Sequence, residues 1–182
     1  MAVSINDLPR IIEFNEFGVW QTYIDAIYDV FQEDFIRRKC HFGSHELKMK
    51  WHPVFQDRAY TFYHMTHKGD IENEREPDLR RCERIPWARP TIADAEAFSL
   101  KFWEQERNGR HRVCIWLDVD NGDDYFCIFE VRKSYVLLWT AFYADYPHAS
   151  RKKENEYRKW LAAQNGRSWT PDELIADIQS RI

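Results

Sequence analysis

Two histidines, His64 and His67, close the stretch Tyr60–His67, and a run rich in arginine follows from Arg75 to Ile92. Imidazole takes and gives protons near neutral pH, and guanidinium forks bind phosphate oxygens in pairs. A histidine-bearing strand followed by an arginine-rich crossing therefore predicts acid/base groups beside an anion-binding surface. Arg80, Arg81, Arg84 and Arg89 are interleaved with Glu76, Asp78 and Glu83, a pattern that also suits a salt-bridged surface. The functional reading needs one or two of these arginines to turn inward and clamp phosphate. Thr140 and Tyr143 end the last expected strand just before a basic helix, where their hydroxyls could support the same site. Threonine is also simply a good strand former.

Other chemistries find less support. On a strand, His64 and His67 would point to opposite faces, which is poor geometry for one metal. Asp118-Val-Asp-Asn-Gly-Asp-Asp124 lacks the residue order and closing glutamate of a calcium loop, and reads as a polar hairpin turn. Cys40, Cys82, Cys114 and Cys127 have no zinc-like spacing. Phosphate-cradling glycine loops and a nucleophile elbow are absent. No metal and no cofactor is expected.

The chain of 182 residues is 44% hydrophobic and 16% aromatic, so one domain with a substantial core is expected. Its net charge of −4 argues against a surface that coats nucleic acid throughout, but leaves room for a local basic site. The N-terminus has no leader pattern, and no apolar run approaches the ~18 residues of a membrane span. With scattered cysteines, this predicts a cytoplasmic protein with reduced thiols and no membrane partner.

The elements that must hold the site follow from periodicity. Asn6 or Asp7 is read as the cap of a first helix, and Gly18 as a break. Trp20, Tyr23, Ile24, Ile27, Tyr28, Phe31 and Phe35 then form a helical core stripe. Leu47–Trp51 and Ala59–Thr66 read as strands, Arg80–Ile85 as a short strand, and Thr91–Arg107 as a helix ended by Asn108-Gly109. Pro77, Pro86 and Pro90 exclude one uninterrupted helix across Arg75–Pro90. Alternation predicts an antiparallel meander of residues 113–119, 125–132 and 135–143. A charged helix, Ser150–Gln164, follows, and Thr170-Pro-Asp-Glu173 opens the last helix with a capping box. The fold class is α+β, an antiparallel sheet flanked by N- and C-terminal helices. It divides into a helical segment (1–39), a sheet-containing core (40–149) and a helical segment (150–182) of one domain.

The order of pieces, with Phe62-Tyr-His-Met-Thr66, Arg81-Cys-Glu-Arg-Ile85 and Tyr135-Val-Leu-Leu-Trp-Thr-Ala-Phe-Tyr143 before a Lys/Arg-rich helix, resembles a ribonuclease superfamily. It is the phage and prophage branch of the group that gathers barnase, EndoU, colicin nuclease domains and RelE-type toxins. The resemblance is one of layout and covers about residues 40 to 160. It implies metal-independent cleavage of RNA by its own 2′-hydroxyl. His64 or His67 would be the acid/base, Arg81 and Arg84 would hold phosphate, and Thr140 and Tyr143 would be accessory donors. RNA, and a protein antitoxin, are the partners it implies. The rival reading is a non-catalytic protein-binding module, such as a phage accessory or immunity protein. A nuclease requires His64 and at least two arginines in one positive cleft; a binding module would show an exposed apolar patch and outward, salt-paired arginines.

Overall fold

A computed structural model describes residues 1–182. The apolar stripe forms α1 (Trp20–Gln32), which buries Tyr23, Ile24, Ile27 and Phe31. Gly18, at φ 72°, turns the chain ahead of it. Ser4, in place of Asn6 or Asp7, caps the first element, which is only a 3-10 turn over Ile5–Asp7. Arg89 closes the far end of this segment by donating to the carbonyls of Asp34 and Arg38.

Six strands form the main sheet: β1 (His41–Phe42), β2 (His45–Met49), then β5 (Lys101–Arg107), β6 (Arg110–Asp118), β7 (Asp124–Val131) and β8 (Val136–Tyr143). Their order is β1-β2-β8-β7-β6-β5, all antiparallel except β2 beside β8. The fold is α+β, and the expected meander is present as β6–β7–β8. Val113, Ile115, Tyr125, Cys127, Phe129 and Leu138 face the main core beneath α1 and the last helix, α6 (Pro171–Arg181). Thr170 and Glu173 make the expected reciprocal capping box on α6. Trp103, Cys114, Trp116, Phe126 and Ile128 form a smaller cluster on the opposite face, covered by Tyr157 and Trp160 of α5 (Pro147–Ala162).

Three expected elements take another form. Ala59–Thr66 is not a strand: Tyr60–Thr66 is the helix α2, and every one of its residues is buried. A segment enclosed on all sides has no polar face, so its sequence has no period to reveal a helix. The strand expected at Arg80–Ile85 is instead α3 (Leu79–Glu83) running into α4 (Ile85–Ala93). Asp78 starts α3 by accepting from the Arg81 amide at 3.2 Å, and Pro86 sits in the first turn of α4, where its missing N–H costs nothing. The helix expected over Thr91–Arg107 stops at Ala93, and Lys101–Arg107 is β5. Asn108 (φ 52°) and Gly109 (φ 71°) do not end a helix. They are the two central residues of a tight hairpin joining β5 to β6, where paired positive φ values match strand twist. A short pair, β3 (His67–Lys68) with β4 (Glu76–Pro77), closes a loop over α2.

Candidate active site

A β-bulge positions the site. Ile128 of β7 pairs with Thr140, but its neighbour Phe129 pairs with Leu138, leaving Trp139 of β8 without a partner. Such an extra residue bends a strand and redirects its side chains. Helix α2 docks on this irregularity. Thr61 Oγ1 donates to the Leu138 carbonyl at 3.1 Å, and Thr140 Oγ1 donates to the His64 carbonyl at 2.9 Å. Arg81 Nη1 reaches across from α3 and donates to the carbonyls of both His64 (3.1 Å) and His67 (3.0 Å). A cation there suits the negative end of α2.

Together these residues open a cleft of about 290 Å³ on the outer face of the sheet. His64, Thr140 and Arg81 line it, with Arg75 from the loop before β4, Arg107 and Arg112 from β5 and β6, and Lys152 and Lys153 from α5. No carboxylate is in the lining. Arg75 and Arg112 make no side-chain hydrogen bonds, and their buried Nε atoms, like that of Arg81, have no hydrogen-bond acceptor. Their counter-charges lie at longer range: Glu72 at 3.6 Å from Arg75, Asp78 at 3.4 Å from Arg81 and Glu130 at 3.7 Å from Arg112. Glu130, only 2% exposed, also pairs with Arg110 and Arg132 and so anchors Arg112 from behind. The Arg112 guanidinium lies 4.6 Å from the Trp139 ring centre. The cleft is thus lined by guanidinium Nε atoms that lack a hydrogen-bond acceptor, each with a carboxylate 3.4–3.7 Å away.

His64 is 4% exposed and packs its ring 4.6 Å from Tyr60 and 5.3 Å from Trp139. Burial, and next Arg75, push its pKa down to about 4 against the opposing pull of Glu72. The ring is therefore neutral at pH 7. Its Nε2 lies 2.5 Å from Glu72 Oε1. A carboxylate there needs an N–H to accept from, which places the one proton on Nε2 and leaves Nδ1 as the acceptor. Burial alone would raise the Glu72 carboxyl, but Tyr60, His64 and Arg75 hold it below the ordinary value.

The remaining expected site residues lie elsewhere. His67 is outside the cleft, with Nδ1 2.9 Å from Thr66 Oγ1 and its ring against Tyr63 and Phe55; burial and then Arg58 bring its pKa to about 4. Arg84 is a buried structural cation bound to Glu83 (3.0 Å) and Asp123 (3.1 Å), stacked 4.0 Å from the Tyr143 ring. Tyr143 itself donates to Asp123 at 3.1 Å. Neither contributes to the cleft. Thr140 does, but its hydroxyl proton is engaged with α2, so it positions His64 and is not a free donor. Arg75, Arg107 and Arg112 were not among the expected residues; only the basic character of the α5 segment pointed to Lys152 and Lys153. No three His, Cys, Asp or Glu side chains group as metal ligands, and no helix is long and apolar enough to cross a membrane.

The fold and cleft define an α+β protein with a cationic pocket around a buried neutral histidine. No family model, curated protein or solved structure matches the chain.

Proposed function

We propose that the chain is a metal-independent endoribonuclease whose site is this cleft. One observation carries the reading: His64 converges with Arg75, Arg81 and Arg112 in a cleft whose lining holds no carboxylate, while their ion-pair partners Glu72, Asp78 and Glu130 stand 3.4–3.7 Å from their Nε atoms. A phosphodiester brings the missing acceptors. The three guanidiniums, held by Glu72, Asp78 and Glu130, would surround a phosphate and the further negative charge it gains as a fifth oxygen adds. His64 Nδ1 would take the proton of the RNA 2′-hydroxyl as that oxygen attacks phosphorus. The bond from phosphorus to the 5′ oxygen would break, and that oxygen needs a proton. Lys152 lines the cleft, is exposed and has no ion-pair partner, so its ammonium is the donor to hand. The products are a 2′,3′-cyclic phosphate and a 5′-hydroxyl. Bound phosphate would also offset the repulsion from Arg75 that lowers the His64 pKa, making the imidazole a better base when substrate is present.

Membership of the barnase–EndoU–colicin–RelE group belongs to this proposal and rests on the meander and the basic helix after it, since Phe62–Thr66 and Arg81–Ile85 lie in helices and not in strands. The test incubates parent and His64→Gln with total RNA and a chelator. Glutamine keeps much of the buried volume and a hydrogen bond to Glu72 but cannot take a proton. Cleavage to cyclic-phosphate ends by the parent, and a loss of at least ~100-fold in the variant, is the expected result for a missing general base. RNA retained without cleavage by either protein would make this a binding module.

A further inference from the structure

The cleft does not end at the scissile position. Arg151, Lys152 and Lys159 of α5 are exposed and have no ion-pair partners, because the carboxylates of that helix are already engaged. Glu154 binds Arg158 at 2.6 Å, and Glu156 binds Lys153 at 3.1 Å. A groove of about 370 Å³ runs along this surface from His148 to Lys159 and shares Lys152 with the cleft. A second, of about 510 Å³, shares Glu156 and Lys159 with the first, passes Trp160 and includes Arg107, which also lines the cleft, together with Glu106 and with Glu104, which is held by His111 and Arg181. The three depressions therefore adjoin one another around α5.

Spaced unpaired cations leading to a partly exposed indole match a single nucleic-acid strand, whose phosphates take the charges and whose bases stack. From His148 to Lys159 the helix rises about 17 Å, within reach of the shorter single-strand footprints of roughly four nucleotides. Resting on the reading of the cleft as an RNA site, we propose that the substrate is a single strand that leaves the cleft past Lys152. It then follows α5 toward Trp160, with Arg151 and Lys159 neutralising phosphates outside the catalytic position.

The test uses the full chain and RNA methylated at every 2′-oxygen, which cannot be cleaved. A trinucleotide and an eight-nucleotide strand are titrated into the parent, Arg151→Ala/Lys159→Ala and Arg81→Ala. The double variant should bind the longer strand roughly tenfold more weakly, with a salt slope about 1.4 smaller, and should bind the trinucleotide as the parent does. Arg81→Ala should weaken both. If the double variant binds both strands like the parent while Arg81→Ala fails on both, the path along α5 is wrong and the cleft assignment stands. If the parent binds neither strand at low salt, the cleft assignment itself falls and the path falls with it.

Discussion

His64 and His67 are both held neutral inside the fold, and that has a pH signature. Their folded pKa values of about 4 lie below the ordinary 6.5. Between these limits the unfolded chain binds protons that the folded chain does not. Stability from this source is therefore complete above pH 6.5 and is lost as pH falls toward 4. The urea midpoint should drop between pH 7 and pH 5.5, a window above the ordinary carboxylate range. His64→Gln/His67→Gln should flatten that drop, whatever its effect on stability at pH 7. An equal drop in variant and parent would show that other groups set it. Asp78 offers a second residue-scale prediction. Its carboxylate caps α3 and sits beside Arg81 Nε. Asp78→Ala should cost about 1 kcal/mol in chemical denaturation, whereas Asp78→Asn, an equally good cap, should recover most of it.

At the scale of elements, the hairpin between β5 and β6 is the clearest conformational requirement. Gly109 adopts φ 71° and an added Cβ would meet nothing within 4 Å, so Gly109→Ala tests backbone strain alone. It should destabilise the protein by about 1–2 kcal/mol in urea unfolding; no change would mean the turn adopts another conformation. Asn108-Gly109 was the better sign of β5 than the spacing of Phe98 and Phe102, which imitates a helical stripe. The meander was legible because β6, β7 and β8 combine β-favouring residues with short polar turns, and α6 because its capping box is local. Helix α2 was not, since burial of all its residues erases any period. The site divides in the same way. His64, Arg81 and Thr140 could be picked out by type and do meet. Arg84 and Tyr143 looked equally suitable, but their shared partner Asp123 lies far along the chain. Arg107 and Arg112 reach the cleft only through the sheet, and Lys152 and Lys153 only through the docking of α5. Nothing near them in sequence encodes that meeting.

For the whole molecule, a chain of net charge −4 concentrates cations on one face of its sheet, of which Arg107 and Lys152 have no ion-pair partner. Gathering Arg75, Arg81 and Arg112 around one cleft, with Nε atoms that lack hydrogen-bond acceptors, opposes folding, and an anion bound among them removes that opposition. Binding to the folded state alone stabilises it by about 2.7 kcal/mol at a ligand concentration a hundredfold above Kd. For a domain of this size each kcal/mol moves the melting temperature by roughly 2–4 °C. Uncleavable eight-nucleotide RNA at that concentration should therefore raise Tm by about 5–10 °C, and the gain should shrink as salt rises. Arg81→Ala should lose most of the gain, because it removes a cation that lines the cleft and also ties down the carbonyl end of α2. Arg84→Ala separates this from general loss of positive charge. It breaks a buried ion pair, so its Tm without RNA should fall, but it lies outside the cleft, so its gain on adding RNA should equal that of the parent. A gain abolished equally by both substitutions would place the anion somewhere other than beside His64.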